Sequence, residues 1–512
     1  MHEQRDSGGW VLLATILGSG MAFLDGTVVN VALPAIQSDL NATVTQLQWV
    51  IEAYMLFLAA LILVGGSLGD QYGRRKIFGI GISLFTIASA WSGLASSPGQ
   101  LILARSLQGI GGALLTPGSL AIITAYFSDP GQRAKAIGKW SALTTVVFII
   151  GPVLGGWLVD VGSWRWVFYI NIPLAAIVLF VLFKFVPESK DELASAEMDW
   201  WGTISATIGL AGISFGLIES ANLGLNHPLV VTGVFGGLIF LAIFILVQRF
   251  GKHPMMSLDL FSSKTFSGAN LLTFFLYGSL GWFSFYLPLN LIQVQGYSAG
   301  EFGLAYLPFP IFIGILSPLA GSAAGKIGAK IPLILGPLVV TLGYVLLATT
   351  GLGGDYWTTY FPGIAAVGIG FGITAAPLTA AVMGAVNASH SGLASGINNA
   401  VARTASLLAI ALIGLLAIHA FSTNMDESMD DLNVSGDLRM EMSAQYNRLA
   451  EVEVPTGMDQ TVSQVLDAAV DASFLESFRL SMLWLAGLGI ASAVMALLFV
   501  EGKKSDEIAS DS

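Results

Sequence analysis

The sequence contains no cysteine, which excludes disulfides, thiol nucleophiles and cysteine metal sites. Its histidines, His2, His227, His253, His390 and His419, are scattered and no HExxH occurs, so nothing points to a metalloenzyme. There is no GxxxxGK[ST] loop, and therefore no phosphate cradle of the kind an ATP-driven pump needs. Charge is scarce as well. Asp, Glu, Lys and Arg make up 11% of the 512 residues, against roughly a quarter in soluble domains. The net charge of −11 disfavours nucleic acid as a partner. Most of that excess lies in one segment, 421–477, which holds twelve acids against Arg439 and Arg448.

What is present is apolar sequence in long blocks. Hydrophobic residues account for 54% of the chain, in runs near the ~20 residues needed to cross a bilayer as a helix. The blocks predict spans near 10–33, 49–69, 77–95, 101–125, 137–159, 166–186, 200–220 and 228–250. Six more follow near 266–293, 300–324, 332–352, 358–383, 393–420 and 478–500, fourteen in all. The first block is too long for a signal-peptide core and has no cleavage pattern before it, so it reads as a retained span. An even count puts both termini on one side. Arg5, Arg74, Arg75, Lys76, Arg133, Lys135, Lys139, Lys326, Lys330, Lys503 and Lys504, among others, share that side, while the opposite loops hold only Arg165, Arg439, Arg448 and Arg479. Basic residues near span ends stay cytoplasmic, so both termini are expected inside a cell (inner) membrane. The acidic segment 421–477 is then extracytoplasmic, and Val462, Val465, Leu466, Val470 and Phe474 have the spacing of a helix lying on the membrane surface; a solvated spacer is the competing reading.

An internal repeat organises the spans. GSLGDQYGRRKI at 66–77, after span 2, matches GSAAGKIGAKIP at 321–332, after span 10, aligning Gly66, Ser67 and Gly73 with Gly321, Ser322 and Gly328. If spans 7 and 8 are an inserted pair, the two copies hold equivalent places in two six-helix halves. The expected organisation is an N-terminal half at 10–186, a linker with two additional helices at 187–265 and a C-terminal half at 266–500.

Four stretches then carry a family resemblance: LDGTVVNVALP (24–34), GSLGDQYGRRK (66–76), LILARSLQGIGGA (101–113) and GPVLGG (151–156) with Gly138 upstream. In that order and in those spans they resemble the signatures of the major facilitator superfamily, in its 14-span drug:proton antiporter branch. Val147 stands where the last motif usually has a glycine. The resemblance implies an all-α polytopic membrane protein with the major facilitator fold, two six-helix halves plus two extra central helices. It implies a proton-coupled exporter that needs no cofactor beyond the proton gradient.

Asp25 lies about 22 Å into a span entering from inside, and Arg105 about 8 Å into one entering from outside. In a hydrocarbon core of ~30 Å those depths coincide. A mid-membrane acid costs on the order of 3 kcal/mol to insert and faces a cavity or a partner. Burial raises a carboxyl's pKa while a nearby arginine lowers it, so a balanced site binds and releases a proton. A permanent Asp25–Arg105 pair that only holds helices together is the structural alternative. Glu52, slightly higher, is either a second titrating group or cationic-substrate site, or an interfacial, water-facing glutamate. Asp70, with Gly66, Gly73, Arg74 and Arg75 around it, reads as a conformational latch; Gly325 replaces the acid in the second copy, which limits the latch to the N-terminal half. Gly151, Pro152, Gly155 and Gly156 form the antiporter motif, with a kink and close helix packing. Tyr54, Trp282, Tyr286, Asn290 and Arg403 are candidates for the substrate cavity, a broad apolar pocket for amphiphiles.

The reading these features favour is proton-coupled efflux of amphipathic drugs or similar small organic compounds, not an enzyme. The alternatives are a dedicated metabolite or siderophore exporter, and a non-transporting membrane sensor or lipid-handling protein. The expected partners are the small organic substrate, protons and the bilayer, with a periplasmic adaptor protein a further candidate.

Overall fold

The computed structural model describes residues 3–191, 199–252, 254–387, 390–432, 434–455 and 459–502. His2, His253, Lys503 and Lys504, used above, lie outside them. Among the described residues there is no strand, and 14 helices are long and apolar enough to cross a membrane. Local sequence sets many of their ends. Thr43 starts span 2 with a capping box, its Oγ1 accepting from the Gln46 N–H at 3.2 Å while the Gln46 side chain accepts from the Thr43 N–H at 3.0 Å. Ser97 and Asp129 cap spans 4 and 5, each followed by a proline at the first helical position.

The structure departs from the expected spans where proline or tertiary packing overrides hydropathy. Span 6 breaks into Trp166–Tyr169 and Asn171–Phe185. Beyond Pro288, span 9 ends in a π-helical turn, Leu289–Val294. Span 10 divides into Ala299–Tyr306 and Pro308–Ile327. The acidic segment is itself largely helical, and here an expectation is corrected. Residues 462–474 do not form a separate surface helix; they open a single 40-residue helix, Gln460–Phe499, that continues as span 14. Leu466, Val470 and Phe474 are buried, with Phe474 against Tyr286 at 5.1 Å and Ser473 Oγ 3.8 Å from Met425 Sδ. The later part of that helical period packs on the extension of span 13, Ser391–Asp431, while Val462 and Val465 stay exposed.

Two compact units result. One comprises Met1–Ile213, Thr232–Met255 and Ser298–Leu304, the other Ser214–Val231, Met256–Tyr297 and Ala305–Ser512. Each repeats the same internal packing. In the first unit span 4 packs on spans 2 and 3, and span 1 on spans 5 and 6. In the second, span 12 packs on spans 10 and 11, and span 9 on spans 13 and 14. Skipping spans 7 and 8 superimposes one pattern on the other, the signature of a duplicated six-helix body. The backbone repeats too. Gly73 ends span 2 at φ 108° and Gly328 ends span 10 at φ 85°, with extended ψ, a region that strains an L-residue by about 1–3 kcal/mol. That strain accounts for the glycine in both copies.

Close approach of span 4 to its neighbours depends on small residues. A Cβ at Gly111 would lie 2.5 Å from the Phe85 backbone N, and one at Gly65 would fall on the Ala113 carbonyl oxygen. Gly65→Ala is therefore expected to destabilise the protein by about 1–3 kcal/mol through overpacking, read as a lower Tm in detergent. An unchanged Tm would show that spans 2 and 4 do not need this contact.

Candidate functional site

Arg105 enters the interior of the first unit from span 4, one residue from the small Ala104 that packs fully buried beside it. It is 1% exposed, and Asp25 of span 1 and Gln108 one turn further along span 4 are both at 0%. Arg105 Nη1 donates to Asp25 Oδ2 at 2.6 Å and to Gln108 Oε1 at 2.8 Å. Gln108 Nε2 closes the ring by donating to Asp25 Oδ1 at 2.7 Å. From span 2, the Val50 carbonyl accepts from Arg105 Nε at 3.1 Å. The Tyr54 ring lies under the guanidinium, 4.3 Å from centroid to Cζ. Span 1 thus supplies the carboxylate, span 2 a carbonyl and a π face, and span 4 the cation and the carboxamide. A charge-assisted network of this kind is what a buried ion pair needs to offset desolvation.

The structure brings together Asp25, Arg105 and Tyr54, and it adds Gln108. Tyr54 was expected in a substrate cavity, but its ring is engaged by Arg105 and it is buried. Glu52 is fully buried between Val50 and Tyr54 in the sequence of span 2, which removes the water-facing alternative.

The latch residues meet differently from the simplest expectation. Asp70 pairs with Arg74, at 2.8 Å from both Nε and Nη2. Arg75 instead turns to the chain after span 6, donating from Nη1 to the Val186 carbonyl at 3.0 Å, while Glu188 accepts from the Arg75 and Lys76 N–H groups at 2.9 and 3.1 Å. Two backbone bonds add to this, Arg74 N–H to Ser189 O at 2.8 Å and Asp191 N–H to Asp70 O at 2.9 Å. All of these contacts lie within the first unit.

The glycine–proline motif of span 5 faces two ways. A Cβ at Gly151 would fall on Thr27 Oγ1 and one at Gly155 would lie 3.0 Å from the Val28 Cα, both on span 1 just past Asp25. On its other side Gly156 abuts the Ala299 carbonyl, and a Cβ at Gly303 would lie 2.5 Å from the Pro152 carbonyl oxygen. One turn beyond Gly156, Asp160 accepts from Ser298 Oγ at 2.9 Å and from the N–H groups of Ala299 and Gly300 at 3.1 and 2.8 Å. Ser298 and Glu301 form a capping box at the same helix start. Asp160 was missed in the sequence. The S-x-x-E at 298–301 marks a helix start, and an acid beside a glycine motif is the matching signal.

Trp282, Tyr286 and Asn290, expected to line a pocket, are fully buried in the second unit. Tyr286 packs against Phe474 and Phe478 of the last helix and shares a hydrogen bond of 3.0 Å with Ser477. The Trp282 indole N–H and the Asn290 carboxamide are buried, with no hydrogen-bond partner among the described residues. Arg403 is half-buried in span 13. A cavity in this unit lies between spans 9, 12 and 13, with Tyr277, Thr379, Ser395, Asn398 and Asn399 in its wall.

With this geometry, the comparison with known proteins is decisive. Residues 15–411 match the family model of the Major Facilitator Superfamily. The chain belongs to that superfamily. It is 32% identical over 507 residues to "Multidrug resistance protein Stp" of Mycobacterium tuberculosis, covering 96% of this chain and 90% of that protein. It is 32% identical over 417 residues to "Puromycin resistance protein pur8" of Streptomyces alboniger, covering 80% and 82%. Among solved structures, a bacterial homolog to human lysosomal transporter, Spinster, in an inward-facing and unoccupied conformation, matches with a TM-score of 0.67 at 18% identity, over 96% of this chain and 98% of that one. That likeness shows the shared fold. As a superfamily member the protein is a multi-pass membrane transporter of small substrates and not an enzyme.

Gln108 is the hinge of the buried network, because it bonds to both charges at once. Gln108→Leu leaves each with one partner fewer and is expected to cost about 1.5–3 kcal/mol, the worth of a hydrogen bond to a charged group. Thermal unfolding in detergent measures this, and a Tm equal to that of the parent protein would show that the carboxamide does not hold the pair.

Proposed function

We propose that the protein is a proton-driven exporter of amphipathic drugs or similar small organic compounds, working by alternating access. Relatives named for multidrug and puromycin resistance support the substrate class. The basic loops support an orientation with both termini in the cytoplasm and the chain in the cell (inner) membrane.

The observation that carries proton coupling is the bonding of Asp25. Both carboxylate oxygens are taken, Oδ2 by Arg105 and Oδ1 by Gln108, and no part of the group is exposed. A proton arriving on either oxygen displaces one of those donors, because a protonated oxygen no longer accepts as a carboxylate does. Each of the two bonds ties span 1 to span 4, so protonation loosens that joint, and deprotonation restores it with its full charge assistance. The proton gradient supplies the energy and no cofactor is required. Outward movement of substrate is then driven by proton entry through a site that exists in two hydrogen-bonding states.

Asp25→Asn keeps the size of the side chain but offers one acceptor oxygen where the carboxylate offers two, and it cannot cycle a proton. In proteoliposomes it is expected to lower pH-gradient-driven drug flux by about tenfold or more, a change of at least ~1.4 kcal/mol, with the protein still inserted and still exchanging substrate down its gradient. Undiminished gradient-driven flux in this variant would sink the coupling role. A panel of cationic, neutral and anionic compounds separates broad drug export from export of one metabolite or siderophore.

A further inference from the structure

The second unit holds a cavity of about 80 Å³ between spans 9, 12 and 13, and the residue types around it define what it accepts. Among the described residues no Asp, Glu, Lys, Arg or His lines it; its polar wall is made of Tyr277, Thr379, Ser395, Asn398 and Asn399. The orientation of both asparagines follows from their neighbours. Thr273 Oγ1 gives its proton to the Ala269 carbonyl at 2.8 Å, so it can only accept from Asn398, and the contact of 2.7 Å must come from Nδ2. Asn270 spends its Nδ2 on the Phe266 carbonyl at 2.9 Å, which turns its Oδ1 to accept from Asn398 Nδ2 at 3.1 Å. Both Asn398 N–H bonds are thereby used. Asn399 Nδ2 donates to the Ser395 carbonyl at 2.9 Å, which fixes that carboxamide as well. Thr379 Oγ1 donates to the Ala375 carbonyl at 3.2 Å, leaving its lone pairs.

What these groups retain for a ligand is mostly acceptor capacity, two carboxamide oxygens and a threonine oxygen, beside the second N–H of Asn399 and the Ser395 and Tyr277 hydroxyls, which act either way. Leu378, Val382 and Met383 complete the wall with apolar, adaptable surface. The space takes on the order of five water-sized atoms, which is the size of a polar head and not of a whole drug. We propose that this cavity is a binding subsite for the hydrogen-bond-donating head of an amphipathic substrate, an amine, amide N–H or hydroxyl, selected without a counter-charge. The assignment rests on the exporter reading for its substrate, while its selectivity is a property of the cavity alone.

Asn399 is the position to test, because it is exposed and, among the described residues, its side chain is bonded within its own helix. The probes are ethidium, a lipophilic cation with two aryl-amine donors, and tetraphenylphosphonium, a lipophilic cation with none. Binding of each to the purified full-length protein is measured at equilibrium. Asn399→Leu is expected to raise the ethidium Kd about tenfold and to leave that of tetraphenylphosphonium unchanged, while Asn399→Asp, which retains an acceptor, keeps ethidium binding. Equal loss of both ligands, no change in either, or failure of the parent protein to bind ethidium overturns the assignment. Selective ethidium binding with no pH-gradient-driven flux would instead overturn proton coupling and leave the subsite standing.

Discussion

A guanidinium removed from water must have its N–H groups answered by the protein, and the way Arg105 meets that demand fixes three helices against one another. Its partners come from span 1 (Asp25), span 2 (the Val50 carbonyl and the Tyr54 ring) and span 4 itself (Gln108). Losing one partner of such a pair leaves a buried charge uncompensated, at about 3–5 kcal/mol, which exceeds any single apolar contact nearby. The small residues follow from this. The guanidinium reaches Val50 and Asp25 because span 4 lies close to span 2, and a Cβ at Gly109 would fall on the Tyr54 carbonyl. Span 5 must also approach span 1 just past Asp25, which Gly151 and Gly155 allow. The glycine motifs and the charge pair are one design.

The duplicated body makes the contrast between the units informative. Span 9 is the counterpart of span 1, and span 13 that of span 5. Where the first unit joins its helices through ions, the second joins spans 9 and 13 through neutral groups, Asn270, Thr273 and Asn398. Ser406 adds a bond to the Tyr277 carbonyl at 2.9 Å. Neutral bonds do not depend on the presence of a proton, so on the proposed reading the proton acts on the ionic joint of the first unit and not on this one. On the proposed reading, energy enters through one repeat while the other offers a neutral polar wall to substrate. Duplication followed by divergence of a few polar side chains is sufficient to produce that division, because the packing pattern is common to both.

Much of this was legible in the sequence, and what was not had physical reasons. The apolar blocks and basic loops predict fourteen spans because the bilayer imposes both length and charge placement. Asp25 and Arg105 stood out since ions in apolar helices are expensive. Gln108 did not, as an amide one turn from an arginine barely changes hydropathy. The aromatic run of span 9 was legible as a stripe, but aromatic content does not say which partner a face meets. Trp282, Tyr286 and Asn290, four residues apart, share a helix side, and Tyr286 shows that side packing on the last helix. The polar cavity instead uses Ser395, Asn398 and Asn399, inside the SGINNAVARTAS stretch whose arginine drew attention first. Which side chains of a polar stretch meet a neighbour's donors is settled by tertiary packing.

The bonds at the ends of the spans differ in kind from those in the middle. Glu188 caps the start of span 3 through the Arg75 and Lys76 N–H groups. Asp160 caps the helix beginning at Ala299, and Asp199 accepts from the Gly202 N–H at 2.7 Å and from Gln248 Nε2 at 2.5 Å. A carboxylate at a helix N-terminus near water contributes about 0.3–1 kcal/mol, and the half-exposed Arg75–Glu188 and Asp70–Arg74 pairs add little more. Such joints separate and re-form at small net cost, because water replaces the donors that leave. The Asp25 network is fully buried, and on the proposed reading a change in its own protonation is what releases it. A transporter that must move at its rims and hold at its centre needs this gradient of bond strength, and the burial of each carboxylate sets where it falls.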